Sequence, residues 1–235
     1  MSAVIRFKID GRPVTAQPGD TILEAARKNG IYIPSLCAHP ELRAWGSCRI
    51  CTVMVNGRAV AACTQPVSEG ALVQNDTPEL REVRRALIEM LFVEGNHFCP
   101  ACEKSGNCEL QAIAYRHGIS VPRYPLQFPQ RELDLSHPDI MIERNRCIQC
   151  ARCVRASEDI DGKHAFGFLG RGLDKRIGVG ANQQLGTTQV NARDKAIEVC
   201  PVGCLMKKRI GFAIPIGQRR YDHDPIGSDV ESEQP

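Results

Sequence analysis

The sequence has few aromatic residues and no long hydrophobic run. Phe, Trp and Tyr make up 5% of its 235 residues, with one Trp among them, so a single large core packed around rings is not expected. No apolar stretch approaches the roughly 20 residues of a membrane-spanning helix, and the N-terminus has no apolar segment of a signal peptide. The composition therefore predicts small modules in a cytoplasmic protein without a membrane span.

Several motifs of enzymes are also absent. There is no dinucleotide-binding fingerprint, no pair of C-x2-C motifs placed to hold a nickel-iron centre, and no Ser-His-Asp array or pair of general-acid carboxylates. The glycine-rich segment 170–180 does not follow a strand and open a helix as a nucleotide-binding loop must, so it is interpreted as turns. We therefore predict no catalytic residue and no flavin, NAD or nickel site in this chain.

The net charge of +3 is unevenly distributed, because residues 222–235 are acidic and contain no Lys or Arg. A basic body is typical of nucleic-acid binding, but the Lys and Arg are spread along the chain without a zinc-finger, RNA-binding or basic-helix pattern. We attribute the positive charge to compensation of buried anionic metal clusters. The acidic tail is expected to be disordered rather than docked on a basic partner.

Cysteine, in contrast, is abundant, with 12 residues in three groups along the chain. A cytoplasmic compartment keeps thiols reduced, so cysteines at such spacings are expected to bind metal rather than to form disulfides. A metal site can also supply the folding free energy that a small core lacks.

The first group follows a strand, hairpin and helix. Residues 4–9 alternate as a strand, residues 14–17 can return as its partner, and residues 21–29 have helical spacing. Four cysteines then have the spacing C-x10-C-x2-C-x11-C, namely Cys37, Cys48, Cys51 and Cys63. This division is similar to a plant-type 2Fe-2S ferredoxin, although that pattern begins C-x4-C.

Zinc is the main alternative for the first group, but two C-x2-C pairs would be its usual signature and only one is present. His39 is interpreted as a loop histidine, because four thiolates already complete the shell of a two-iron cluster.

A helix is predicted between the first and second groups, with Asp76 as N-cap, Pro78 just inside and Glu79 as a capping-box partner. An apolar stripe follows, formed by Leu80, Val83, Leu87, Ile88 and Leu91. It leads to three cysteines and one histidine, namely His97, Cys99, Cys102 and Cys108. A 4Fe-4S cluster is predicted, with His97 as the fourth ligand; the alternative is a fourth ligand from elsewhere, such as Cys204.

The third group contains the strongest local motif of the chain, C-x2-C-x2-C. Three thiolates within seven residues suit three corners of a 4Fe-4S cube and fit zinc or disulfides poorly. The predicted ligands are Cys147, Cys150, Cys153 and Cys200, the last followed by Pro201 as in bacterial ferredoxins. Cys204 is left over and is interpreted as a small buried residue beside the cluster.

The order of these motifs resembles the N-terminal region of the large iron-sulfur subunit of respiratory complex I. The second group ends Cys108-Glu109-Leu110-Gln111 and the third ends Cys200-Pro201-Val202-Gly203. Iron-only hydrogenases and some NAD-dependent formate dehydrogenases begin similarly. As a separate chain, this sequence resembles the diaphorase iron-sulfur subunit of soluble NAD-reducing nickel-iron hydrogenases. Its closing segments 211–217 and 219–222 resemble the end of that subunit. In one departure, such relatives place the histidine four residues before the first cysteine, where this chain has Gly95.

The resemblance implies an α+β chain with an N-terminal β-grasp 2Fe-2S module (1–78), a short helical His/Cys 4Fe-4S module (79–120), a C-terminal bacterial-ferredoxin-like 4Fe-4S module (121–221) and an acidic tail (222–235). It implies one-electron transfer between a nickel-iron hydrogenase module, through its small subunit, and a flavin/NAD-binding diaphorase subunit. Alternatives are a similar relay in formate dehydrogenase or a complex I-like enzyme and, remotely, a zinc-binding non-redox protein.

Overall fold

The computed structural model describes residues 4–232. The first part of the chain forms a five-stranded sheet in the order β2-β1-β5-β3-β4. Its strands are β1 (Ile5–Ile9), β2 (Arg12–Ala16), β3 (Thr52–Val55), β4 (Arg58–Ala61) and β5 (Leu72–Gln74). β1 pairs parallel with β5, and the other neighbours are antiparallel. The Asn56-Gly57 dipeptide, a typical signal of a hairpin turn, connects β3 and β4, and both residues have a positive φ, of 47° and 83°.

Helix α1 (Ile22–Lys28) follows the first hairpin and buries Ile22, Leu23, Ala25 and Ala26. Its start is fixed by a capping box, in which Thr21 Oγ1 accepts from the Glu24 N–H and the Glu24 carboxylate accepts from the Thr21 N–H. This helix closes one side of the sheet before the chain enters the loop that carries the first cysteines.

Helix α2 (Pro78–Val93) connects the first and second parts of the chain. Its N-cap is Thr77, whose Oγ1 accepts from the Leu80 N–H, so the prediction of Asp76 as the cap is wrong. Asp76 instead forms an ion pair with Arg81 at 2.5 Å. The apolar stripe is also only partly buried, because Val83 is 44% exposed while the charged side chains of Arg84 and Glu89 are buried.

A short 3₁₀ turn (Cys99–Ala101) and helix α3 (Glu109–Arg116) form the second part of the chain. Gly118, with a φ of 64°, follows the end of this helix, where glycine is common.

The third part has two small antiparallel sheets and two helices. Its elements are β6 (Leu133–Asp134), β7 (Ile140–Glu143), α4 (Arg152–Asp159), β8 (Phe166–Leu169), β9 (Arg176–Val179), α5 (Lys195–Glu198) and β10 (Leu205–Lys207). One sheet has the order β10-β7-β6 and the other pairs β8 with β9. The glycine-rich segment 170–180 is therefore not turns alone, because part of it is strand β9.

The acidic C-terminal segment packs on the body of the chain as far as the structure describes it. Arg116 forms an ion pair with Glu231 and donates a hydrogen bond to the Ile226 carbonyl at 2.7 Å. A short helix α6 (Ser228–Ser232) ends this segment. The expectation of a disordered tail is wrong for residues 222–232, because Arg116 of the same chain holds this segment. Within residues 4–232, no helix is long and apolar enough to cross a membrane.

Candidate metal centres

The structure gathers the four thiols of the first group. The Cys37 thiol lies next to those of Cys48 and Cys63, and the Cys51 thiol lies next to that of Cys63. These interactions between thiols lower the pKa values of Cys37 and Cys51 and raise those of Cys48 and Cys63. Cys48 is half-buried and the other three are buried. Four convergent soft ligands in a buried loop fit a two-iron cluster.

The backbone of this loop is shaped to present the paired cysteines. Arg49, between Cys48 and Cys51, has a φ of 60°, a left-handed conformation that is costly for a residue with a side chain. Its carbonyl accepts from the backbone N–H of Thr52 at 3.0 Å and from the Thr52 hydroxyl at 2.6 Å. His39 stays within its own turn, where Nδ1 accepts from the Glu41 N–H at 3.3 Å.

Buried Arg84 holds this loop from helix α2. Its Nε donates to the Ile50 carbonyl at 3.2 Å, and its Nη2 donates to the Thr52 carbonyl at 3.0 Å and to Asn75 Oδ1 at 2.7 Å. The carbonyls flanking Cys51 are thereby satisfied although they lie away from water.

His97 of the second group is half-buried, and its buried Nε2 lacks a hydrogen-bond partner among residues 4–232. Partial burial lowers the pKa of His97 to about 4, with Arg146 acting in the same direction and a backbone hydrogen bond to Leu91 opposing it. The ring is therefore neutral at pH 7. A neutral imidazole with one buried, unpaired nitrogen has the chemistry of a metal ligand.

Gly95 makes room for this ring. A Cβ at position 95 would lie 2.7 Å from His97 Nε2 and 2.8 Å from the Asn145 carbonyl. A histidine at position 95, where the related proteins were expected to have theirs, does not fit beside His97 in this backbone.

The three cysteines of the second group are close to each other along the chain and in space. The Cys99 carbonyl accepts from the Cys102 N–H at 3.1 Å, and Cys108 is the N-cap of helix α3. Burial raises the pKa of Cys108 to about 12, while hydrogen bonds from the Gln111 and Leu110 backbone oppose that shift. A cysteine at a helix N-terminus is in a position that favours its thiolate form.

The third group contains five thiols rather than four. One small apolar cavity is lined by Cys147, Cys150, Cys153, Cys200 and Cys204. The Cys204 thiol lies next to those of Cys147 and Cys200, so it adjoins two predicted ligands of the third site. The adjoining Cys204 thiol lowers the pKa of Cys200 to about 6.

The cysteine triplet has two left-handed residues, Gln149 with φ of 53° and Ala151 with φ of 58°. The Gln149 side chain donates to the Lys175 carbonyl at 2.9 Å, which restrains the turn. Helix α4 begins directly after Ala151, so Cys153 lies in its first turn.

The second and third groups touch directly. A Cβ at Gly203 would lie 2.7 Å from Cys102 Sγ, and the Glu109 N–H donates to the Pro201 carbonyl at 2.9 Å. Arg152 is buried and binds the Glu109 carboxylate through two hydrogen bonds of 2.8 and 2.7 Å. The chain next to Cys108 is therefore joined to the chain next to Cys200.

The first and third groups are joined by Arg155, which is fully buried. Its Nη2 donates to the Cys37 carbonyl at 2.5 Å and to the Cys150 carbonyl at 3.4 Å. Sequence reasoning missed Arg84, Arg152 and Arg155. For Arg152 and Arg155, the signal in the sequence was their position beside cysteine ligands at the start of a helix.

Comparison with known proteins gives three successive family matches. Residues 2–78 match a 2Fe-2S iron-sulfur cluster binding domain, and residues 84–123 match the NADH-ubiquinone oxidoreductase-G iron-sulfur binding region. Residues 137–206 match the ferredoxin-like domain of NADH-quinone oxidoreductase subunit 3. The mixed α/β fold thus consists of three iron-sulfur regions in the predicted order.

Comparison with individual proteins shows which iron-sulfur family the whole chain resembles most specifically. The chain is 43% identical to the gamma subunit of the NAD-reducing hydrogenase HoxS of Cupriavidus necator, over 93% of each chain. It is 48% identical to a chain in the crystal structure of an NAD+-reducing [NiFe]-hydrogenase in the H2-reduced state, with a TM-score of 0.94 over 99% of both chains. The mitochondrial NADH-ubiquinone oxidoreductase 78 kDa subunit of Candida albicans is 32% identical; the match covers 97% of this chain and 32% of that one.

Fold, thiol groups and family matches together define an iron-sulfur electron-transfer protein with one 2Fe-2S and two 4Fe-4S clusters. The chain belongs to the family of the gamma subunit of NAD-reducing hydrogenases, and it is an electron-transfer subunit of that oxidoreductase. The zinc-binding alternative is thereby wrong, and the complex I likeness is secondary.

Proposed function

We propose that this chain relays single electrons between a nickel-iron hydrogenase module, through its small subunit, and a flavin/NAD(H)-binding diaphorase subunit. The observation that supports the proposal is that the third thiol group adjoins the second directly and is joined to the first through Arg155. Arg155 touches Cys37 and Cys150, while Gly203 touches Cys102. Three adjoining redox sites in one chain support stepwise transfer across it.

The proposed ligands of the 2Fe-2S cluster are Cys37, Cys48, Cys51 and Cys63. Those of the second site are His97, Cys99, Cys102 and Cys108, and the open Nε2 of His97 supports its inclusion. Those of the third site are Cys147, Cys150, Cys153 and Cys200. Cys204 is proposed to remain outside the shell and to tune it through contact with neighbouring sulfurs.

These contacts support an order of transfer in which the third site is the intermediate one. In this proposal an electron moves from the first site to the third and then to the second, or in reverse. The sequence order of the three sites and their functional order therefore differ.

The proposed modules are a β-grasp 2Fe-2S domain over 1–78, a helical His/Cys domain over 79–120, a bacterial-ferredoxin-like domain over 121–221 and the acidic segment 222–235. The mixed five-stranded sheet with helix α1 supports the first of these. We also propose a cytoplasmic location, since 12 free thiols are best preserved in a reducing compartment.

Metal and sulfide analysis of anaerobically purified protein, with EPR of the reduced sample, tests the relay. We expect about ten irons per chain and three spin systems. About six irons with only two spin systems would contradict a three-site relay. Co-purification of a nickel-containing subunit and a flavin-containing subunit separates the hydrogenase assignment from a complex I-like one, in which nickel is absent.

A further inference from the structure

All hydrogen bonds that the Arg155 guanidinium donates go to backbone carbonyls, and the group also lies over the Trp45 ring, 5.8 Å from its centroid. Besides the Cys37 and Cys150 carbonyls, it donates to the Ala151 carbonyl through Nε at 3.2 Å and to the Arg43 carbonyl through Nη1. The side chain is 0% exposed. Its hydrogen bonds therefore connect the loop of the first site to the triplet of the third, 118 residues apart in the chain.

The charge of Arg155 is not balanced by a carboxylate. Among residues 4–232, no Asp or Glu forms an ion pair with it, although its neighbours Arg43 and Arg152 both have such partners. A buried charge is costly unless it is paired. Burial lowers the pKa of Arg155, and the nearest groups that can be negative, the sulfurs of Cys150 and Cys37, oppose that shift.

We propose that Arg155 is the shared counterion of the first and third iron-sulfur sites and raises the reduction potential of both. Adding one electron at either site increases its negative charge by one, while no bond or proton is exchanged. The electron comes from the neighbouring site of the relay. A fixed positive charge between the two sites stabilises the reduced form of each.

Arg152 lies on the same helix as Arg155 but differs from it in how its positive charge is balanced. Arg152 also lies near Cys150 and Cys200, but its charge is offset by the bidentate contact with Glu109. Removing the Arg152–Glu109 pair leaves the net charge unchanged, whereas removing Arg155 removes one positive charge. The two changes therefore separate charge from the general effect of altering a buried side chain of α4.

The inference rests on the proposed ligand sets and is tested by EPR-monitored redox titration of the full chain. Arg155→Gln removes the charge but keeps an amide donor, and Arg155→Lys keeps the charge but loses the guanidinium fork. The matched control is the double variant Arg152→Met/Glu109→Gln. Iron content is measured for every sample, so that occupancy and potential are read separately.

We expect Arg155→Gln to disfavour reduction of both the first and third sites at least tenfold, which is about 59 mV for one electron. Arg155→Lys should keep both midpoints within half that shift, and the double control should leave the first-site midpoint in place. The proposal is overturned by unchanged midpoints in Arg155→Gln, by equal shifts in Lys and Gln, or by loss of clusters in both variants, which would make the fork geometry rather than the charge essential. Absence of three clusters from the wild-type chain would instead contradict the relay itself.

Discussion

Gly203 of the third part of the chain lies against the sulfur of Cys102 in the second. A side chain at 203 cannot be accommodated without moving this sulfur, since the added Cβ would be 2.7 Å from it. The glycine is required for close approach rather than for an unusual backbone angle. A change at position 203 in the third part of the chain is therefore expected to displace a proposed ligand of the second site.

Gly203→Ala is expected to damage the second site although the residue belongs to the third. The displaced Cys102 should lower the iron content and alter the EPR signal of the His/Cys site, while the 2Fe-2S signal remains. Gly167→Ala is the matched control, because position 167 has nothing within 4 Å of the added Cβ. Equal iron content and spectra in the two variants would contradict this reasoning.

The two neighbouring cysteines 200 and 204 are expected to differ in function. Cys200→Ala should abolish the third cluster, because it removes a proposed ligand. Cys204→Ala should retain the cluster with a shifted midpoint, because it removes a sulfur that touches Cys147 and Cys200. Iron analysis and EPR of both variants measure the difference, and cluster loss in Cys204→Ala with retention in Cys200→Ala would reverse the assignment.

The C-terminal segment is expected to depend on contact with Tyr32. Gly227, with φ of 95°, lies so close that an added Cβ would collide with the Tyr32 ring, whereas Gly217, with φ of 91°, has open space around it. Both substitutions strain the backbone, but only Gly227→Ala overpacks, at a cost on the order of 1–3 kcal/mol. Limited proteolysis should cut the segment faster in Gly227→Ala than in Gly217→Ala; equal rates would argue against docking.

Local patterns predicted the elements and the grouping of cysteines well. Strand β1, helix α3 and the hairpin at Asn56-Gly57 follow from periodicity and turn chemistry, which act within a few residues. The cap of α2 was misplaced by one residue because Asp76 and Thr77 are both good caps. In the structure, the Asp76 carboxylate forms an ion pair with Arg81, and Thr77, directly before Pro78, is the N-cap.

Contacts between distant segments were beyond local patterns. Arg155 and Cys37 are 118 residues apart, and nothing in helical spacing distinguishes an arginine that crosses to another loop from one facing water. The same holds for Gly203, whose neighbour Cys102 is set by the packing of two modules. The acidic segment likewise packs through an ion pair between Glu231 and Arg116, and the distribution of charge along the sequence does not predict this contact.

Cluster assembly is expected to release protons. Burial raises the pKa values of Cys108 and Cys150 to about 12, so both thiols are protonated in the metal-free chain at neutral pH. Ligation requires thiolates, and cluster affinity should therefore rise with pH between about 6 and 8. Anaerobic reconstitution in weakly buffered solution measures the released protons directly, and pH-independent reconstitution without proton release would contradict the shifted values.

Replacing His97 tests the least conventional ligand of the chain. The neutral imidazole carries one negative charge fewer than a thiolate, so His97→Cys should lower the midpoint potential of the second site and change its EPR spectrum. His97→Ala should lose iron at that site, because it removes the proposed fourth ligand, whose Nε2 has no hydrogen-bond partner among the described residues. His39→Ala is the control, since the ring of His39 bonds only within its own turn. An unchanged midpoint and spectrum in His97→Cys would show that the buried Nε2 faces the cluster without binding it. The fourth ligand would then have to come from a neighbouring segment, and Cys204 is the thiol that the proposed shells leave over.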